Sequence, residues 1–496
     1  MEPPSPENDY PRYSMYKHIQ CLALTVLVVS VFAMTITASS DSSTSNKNSS
    51  DGVPELRSLS TFDTYDAFGL IFISLGLAVS AAGGVGGGTI LVPAMILIMD
   101  FDIKRATPIS NLAIVGGAVA NAWFNIRKRH PAADRPLIDS DLSLSMIPLV
   151  MGGAVVGTVF AKLLPSYLLS LLFVVVLVLG GTRTVSKGIK MYRAEMKSCK
   201  VQEVAPAVES TSEQHVTPYA VVCSPNSWTE DKTTEEVSRD SAHDSLLKRS
   251  RTLSNECDGS SMETDDEALA EILERERHFS LTKQGIILLC YLGIVSASIG
   301  GAVVSCGGTA YWLLLIMEIP WIAVFGVCTA VYLFRQHINK VSVNYVFAAG
   351  DIHWTKKTVV RFPLACGGAG LIAGLFGVGG GIVTGPLMIE MGIVPEVASA
   401  TTALMVLYSS AAATAKFAVF NMIAWDWALL LSVLALVVTA VSQVVILGFV
   451  RRTGRQSVIV LCIGATICIG AVLMTYQAVK STIKHAGEPF EINVCR

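Results

Sequence analysis

A chain of 496 residues with a formal net charge of −2 carries 52% hydrophobic and only 15% charged residues, against about 25% charged in soluble globular domains. Its mean hydropathy of +0.54 excludes water as the main solvent, and its near-neutral charge excludes nucleic acid as a partner, because no basic field is present to attract a polyphosphate. The cysteines, among them Cys290, Cys306, Cys328, Cys366, Cys462 and Cys468 inside apolar runs, show no C-x-x-C or Cys/His ligand spacing. They read as small packing residues, and neither a metal site nor a cofactor is expected.

Residues 1–39 have the shape of a secretory signal, cleaved or retained as an anchor: a weakly basic lead with Arg12, Lys17 and His18, an apolar stretch over 21–36, then small polar residues. Residues 40–64 follow as a polar luminal or extracellular segment with a glycosylation sequon at Asn48. Apolar segments then fall at 65–82, 86–99, 106–125, 142–163 and 166–185, and again at 283–303, 309–332, 358–376, 379–391, 398–420, 425–448 and 457–479. This pattern predicts an all-α polytopic membrane protein whose solvent and first partner is the lipid bilayer. Segments 86–99 and 379–391 are too short to span with ease, and each directly follows a glycine cluster. Each is therefore expected to be one arm of a broken hairpin.

The chain divides accordingly into membrane repeat 1 over 65–190, a disordered cytoplasmic loop over 191–281, a second membrane half over 282–480 that contains repeat 2, and a C-terminal tail over 481–496. The loop has too little apolar content to build a core. Within it Thr264 and Glu267 form a capping box for a short helix carrying Leu269, Ile272 and Leu273. Short basic segments at 127–135, 187–200, 335–357 and 451–455 fall on one face under this span count, and the positive-inside rule makes that face cytoplasmic. The opposite face then receives 40–64, in keeping with an integral protein that reaches the plasma membrane or an endomembrane through the secretory route.

Residues 84–96, GVGGGTILVPAMI, align with 377–389, GVGGGIVTGPLMI; after a one-residue slip Ala106 pairs with Ala398, Ser110 with Thr402 and Leu112 with Leu404. An odd number of spans separates the copies, so the fold is read as two inverted-topology repeats with glycine-broken helices, the recurrent build of secondary transporters. Gly86, Gly87, Gly88 and Gly379, Gly380, Gly381 leave no side chain between the peptide plane and a ligand. The half-helix after each cluster begins with unpaired amides at the positive end of its dipole, which favours a small oxyanion. The bland alternative is that these glycines only let helices approach closely. Ser110, Asn111, Thr401 and Thr402 lie on the next helix of each repeat and face the same region if those helices line the site; their alternative use is a hydrogen bond to a carbonyl one turn back. Lys416 and Glu390 are the ionisable residues near apolar runs that point to function, Lys416 as a candidate anion attractor; both lie close to a helix end and can snorkel instead, and Lys162, Arg183 and Glu318 read as interfacial.

The motifs GGVGGGTILVP at 83–93, FDIKRATPIS at 101–110 and FNIRKRHPAADRPLID at 124–139, with CGGTAYWLLL at 306–315, AGLFGVGGGIVTGPL at 373–387 and PEVASATT at 395–402, occur in the order and spacing of a known family. The chain resembles the sulfite exporter TauE/SafE family, in particular its eukaryotic, plant-like branch, over 65–190 and 282–480. The resemblance implies a permease for small anions such as sulfite or organosulfonates, working by alternating access between the repeats. Expelling an anion from a negative cytoplasm is favoured by about 2.3 kcal/mol per charge per 100 mV. Export would run without a coupling ion; import would need one, and the sequence displays no acidic cluster at the centre of a span to serve it. The rival reading is a membrane receptor or scaffold that uses the large loop to hold partners. An enzyme is not expected, since Cys306 and His337 sit at opposite ends of their segment.

Overall fold

The computed structural model describes residues 63–204 and 269–484, apart from 82, 83, 85, 131, 132, 305–307, 344, 348, 349 and 454–456. The signal segment, the sequon at Asn48, the capping residues Thr264 and Glu267, and Cys306 lie outside the described residues. In chain order the helices are α1 (Thr64–Ala81), α2 (Gly88–Leu97), α3 (Ile103–Ile126), α4 (Ser140–Leu163), α5 (Ser166–Val204), α6 (Leu281–Val303), α7 (Thr309–Ser342), α8 (Lys356–Phe376), α9 (Gly381–Glu390), α10 (Pro395–Val419), α11 (Trp425–Thr453) and α12 (Ser457–Lys484). Residues 269–277 are also helical, where the sequence places a short helix.

Each apolar segment from residue 65 onward has become a helix. Ten are long and apolar enough to cross a bilayer, whereas α2 and α9 have 10 residues each, about 15 Å or half of a hydrocarbon core. The protein is an integral multi-pass membrane protein. α5 and α7 run past the ends of their apolar segments, to Val204 and Ser342. Their added turns are rich in lysine, arginine and other polar residues, so they carry the helix out of hydrocarbon into water without leaving a backbone group unpaired.

Side-chain burial separates a centre from a rim. The apolar window of α10 is 94% buried and that of α3 is 78% buried, against 17% for α7. Exposed Tyr65, Phe68, Ile71 and Leu75 on α1, with Leu313, Ile316, Val324 and Val327 on α7, form parts of the lipid-facing surface.

The two ends of the bundle differ in chemistry. At one end Asp102 accepts from Ser166, Lys104 donates to the carbonyl of Lys162, Arg105 donates to that of Met422, and the Lys162 ammonium lies over the Phe420 ring. At the other end the basic segments gather: Arg135 pairs with Asp351, Lys283 with Asp141, Lys340 with Glu276, and Lys187 donates to the carbonyl of Ile389. α11 and α12 meet there too, with Gln443 bonded to Lys128 and a Cβ on Gly188 3.1 Å from Leu461. Burial works against the Arg135 charge, yet the hydrogen bond and charge of Asp351 outweigh it and lift the guanidinium above its ordinary value. Burial, followed by the Arg135 charge, holds His130 below the usual imidazole range and so neutral at physiological pH.

α4 and α8 cross at backbone contact. A Cβ on Gly374 would lie 1.9 Å from the Ala154 carbonyl oxygen, one on Gly370 2.1 Å from that of Val150, and one on Gly153 2.0 Å from that of Gly367. Such packing supplies the dispersion attraction that holds helices together in lipid, where no hydrophobic drive exists between them. Gly374→Ala should therefore cost about 3 kcal/mol of overpacking or abolish assembly, whereas Gly368→Ala, on the same helix with open space at its Cβ, should change stability by less than about 1 kcal/mol. Thermal unfolding of the two variants in detergent measures the difference, and equal midpoints would contradict this account of the crossing.

Candidate functional site

The glycine clusters break the helices in matched conformations. Gly84, Gly86 and Gly87 have φ of 67°, 80° and 75°, and their partners in the second copy, Gly377, Gly379 and Gly380, have 69°, 72° and 71°. Left-handed backbone of this kind costs an L side chain roughly 1–2 kcal/mol per residue. The correspondence continues past the half-helices, where Asp100 and Gly392 both have positive φ, so the one-residue slip lies in the turns that follow α2 and α9.

α1 and α2 form a hairpin. A Cβ on Gly69 would meet Met99 at 2.7 Å and one on Gly76 would meet Ile90 at 2.5 Å, so the end of α2 lies back beside the start of α1. The apex of this hairpin and that of α8–α9 meet in the middle of the bundle, on one pair of side chains. A Cβ on Gly86 would lie 2.8 Å from Ile114 Cγ2 and 3.0 Å from Val406 Cγ1; one on Gly379 would lie 2.9 Å and 3.0 Å from the same two atoms. Ile114 on α3 and Val406 on α10 are themselves partners in the internal repeat. Reciprocal contacts flank them: Gly84 abuts the carbonyl of Ser399, and Gly377 abuts that of Thr107, again an equivalent pair.

Hydroxyls occupy three carbonyls of the second break. Ser110 Oγ donates to Gly377 O at 2.7 Å, Ser409 Oγ to Gly379 O at 3.3 Å, and Thr384 Oγ1 to Gly380 O at 3.0 Å. No carbonyl among the described residues accepts from the amides of Gly379, Gly380 and Gly381. With these three acceptors capped and the donors open, the second break has a polarity that favours an anion. Ser410 Oγ, 3.1 Å from the Cβ position of Gly379, is fully buried and has no hydrogen-bond partner; Asn111 Oδ1 and Thr107 Oγ1 are buried and likewise unpartnered. Buried hydroxyls of that kind cost about 1–3 kcal/mol each unless a ligand or water satisfies them.

The other expected residues divide. Gly86, Gly87, Gly88, Ser110 and the triplet Gly379, Gly380, Gly381 come together at the crossing. Asn111 sits one turn along α3, its Nδ2 bonded back to Thr107 O. Thr402 faces Met388 on α9, and Thr401 accepts from the Asp139 amide at the basic end. Lys416 is ten residues beyond Val406 on α10, about 15 Å along the axis, and there its ammonium is bonded to Glu318. Glu318, inside α7, is 3% exposed and so buried by protein rather than facing lipid or water. Its position within the apolar run 309–332 was the available signal, overridden because an isolated acid near a helix end commonly snorkels. Ser409, Ser410, Ile114 and Val406 carried no signal in the sequence, since a serine or an aliphatic residue in a membrane helix has many uses. Glu390 is exposed at the end of α9.

Because both breaks rest on Ile114 and Val406, alanine at either glycine should be relieved by trimming the same side chains. Gly86→Ala and Gly379→Ala are each expected to lose about 2–4 kcal/mol from strain and overpacking. Ile114→Ala should return the overpacking part in both backgrounds, a coupling of about 1 kcal/mol or more. Double-mutant cycles on unfolding in detergent read this directly; additive losses would show that the loops do not share that floor.

The model of the family described as sulfite exporter TauE/SafE matches residues 17–222 and 269–473. Relatives in Arabidopsis thaliana include Sulfite exporter TauE/SafE family protein 3, 28% identical over 85% of this chain and 81% of the relative. Family protein 2 is 27% identical over 81% and 80%. No solved structure matches the chain. With the family model covering well over half of its length, the chain belongs to the sulfite exporter TauE/SafE family of membrane transporters.

Proposed function

We propose that the protein is a permease for small oxyanions, of the sulfite or organosulfonate type, which bind at the crossing of the two glycine breaks. The observation that carries this reading is the polarity of the second break: the carbonyls of Gly377, Gly379 and Gly380 are taken by Ser110, Ser409 and Thr384, and the amides of Gly379, Gly380 and Gly381 remain for a ligand. Sulfite and sulfonates present several oxygens that accept hydrogen bonds from a cluster of amides and hydroxyls, whereas an ammonium group offers only donors and does not suit such a site.

The placement of the hairpins supports alternating access between the two halves. The α1–α2 hairpin opens toward the end where Asp102 and Lys162 lie. The α8–α9 hairpin opens toward the basic end, where Lys187 reaches Ile389. A ligand held between their apices would be exposed to one end or the other as the two halves rock, without moving far itself. With the basic end cytoplasmic, the amino-terminal segment before α1 falls on the extracytoplasmic side.

The test is uptake of radiolabelled sulfite, and separately of a small sulfonate, into liposomes that hold the purified full chain. Saturable flux is expected. Ser410→Ala, which removes the unpartnered hydroxyl beside Gly379, should raise the half-saturating concentration by roughly tenfold, the worth of one hydrogen bond to a charged ligand. Flux no greater than in empty liposomes, for either anion and under either sign of imposed potential, would rule the permease out.

A further inference from the structure

α7 is the most outward-facing of the spanning helices, and Met317 and Ile319 on it are 64% and 57% exposed. Between them Glu318 turns inward and is buried. Its Oε1 accepts from Lys416 Nζ at 2.6 Å and from Ser298 Oγ of α6 at 3.2 Å, while its Oε2 has no hydrogen-bond partner. Thr414 Oγ1, on α10 two residues before Lys416, is also buried and unpartnered. A buried ion pair with one carboxylate oxygen unsatisfied is a poor stabilising device, because desolvation of both charges exceeds what one short contact returns. It is, however, a pair ready to exchange partners. Lys416 stands six residues along α10 from Ser410, about 9 Å from the hydroxyl beside the second glycine break.

We propose that Glu318 and Lys416 form a proton-coupled anion site, in which Glu318 takes up one proton on Oε2 as Lys416 exchanges its carboxylate partner for one monovalent oxyanion. The inference rests on the permease reading and names its coupling ion. The charges balance: the carboxylate becomes a neutral acid, the Lys416–Glu318 contact breaks, a Lys416–anion contact forms, and the net charge of the buried site stays at zero. Neither step is favourable alone. A proton without the anion leaves a buried ammonium unpaired, and an anion without the proton sets two negative charges against one lysine. Linkage of this kind makes each ligand raise the affinity for the other.

Other charged and titratable groups on the neighbouring elements are placed elsewhere. α6 presents Ser298 to Glu318, and its Tyr291 ring meets that of Tyr408 of α10 edge to face. On α4 the Lys162 ammonium is over the Phe420 ring, and on α3 Lys104 is bonded to the Lys162 carbonyl. α8 has Arg361 toward its basic end with Cys366 buried further in, α9 ends in Glu390, and α12 carries Tyr476 and Lys480. Movement of one proton with one monovalent anion is electroneutral, so a cell with a negative interior could import the anion on a proton gradient.

Methanesulfonate is the probe, because it stays ionised throughout the working pH range and any proton that moves is carried by the protein. Liposomes holding the full chain and an internal pH dye should acidify as methanesulfonate enters, one proton per anion, at a rate indifferent to imposed potential. Glu318→Gln should carry the anion without the proton, lose the pH dependence and respond to potential. Glu318→Gln with Lys416→Met, which leaves no lone buried charge to prevent folding, should bind the anion at least tenfold more weakly. Entry of methanesulfonate without acidification overturns the coupling and leaves the permease standing; absence of flux with both methanesulfonate and sulfite overturns both. Where sulfite alone is carried, the infrared band of a protonated carboxyl group that appears on anion binding and is missing in Glu318→Gln reads the same proton, and its absence overturns the coupling.

Discussion

A helix that stops inside a bilayer exposes amides and carbonyls to a solvent that cannot bond them, and the whole arrangement of this protein follows from where those groups go. Each free group in hydrocarbon costs several kcal/mol. The chain stops twice at midspan, at the glycines before α2 and α9, and the two stops are brought face to face on Ile114 and Val406. α3 and α10, the helices that carry this floor, are among the most deeply buried in the bundle. Neither break is shielded by its own repeat alone. Gly84 rests on Ser399 and Gly377 on Thr107, so each half supplies the backbone wall of the other. A chain carrying only one copy would leave its break against lipid.

Much of this was legible in the amino-acid sequence, for a physical reason. Apolar length reports a span, because only a helix satisfies its backbone in lipid, and every segment identified by hydropathy among the described residues is a helix, with ends close to the expected ones except at the polar C-terminal ends of α5 and α7. The glycine repeat was legible because left-handed backbone all but requires glycine at those positions, so the conformation is written in residue identity. Partners are not. Nothing in the identity of Ser110 states that its hydroxyl closes Gly377 O, nor that Thr401, expected at the same site, instead serves the turn before α4. Both lie on helices buried all round, where no amphipathic stripe shows which face meets which neighbour. The polar ends of α5 and α7 were missed as helix because hydropathy detects lipid contact rather than helix itself.

The symmetry of the crossing also shows where the protein departs from it. At the breaks, the glycine conformations and the contacts with Ile114, Val406, Ser399 and Thr107 are duplicated, whereas the hydroxyl caps described are at the second break. Lys416, by the same register, corresponds to Phe124 in the first copy, and its carboxylate partner lies on α7, one of two helices between the repeats that have no counterpart. A duplicated fold by itself provides two equivalent ways to open and no reason to prefer either end. Direction and coupling need an element that belongs to one half only. The inserted helices bring such an element, a buried carboxylate opposite the second repeat's lysine, to within two turns of the shared site. On the proposed reading, the repeat supplies a binding place that either end reaches, and the asymmetric Lys416–Glu318 pair near it is where a driving ion would be tied to the anion.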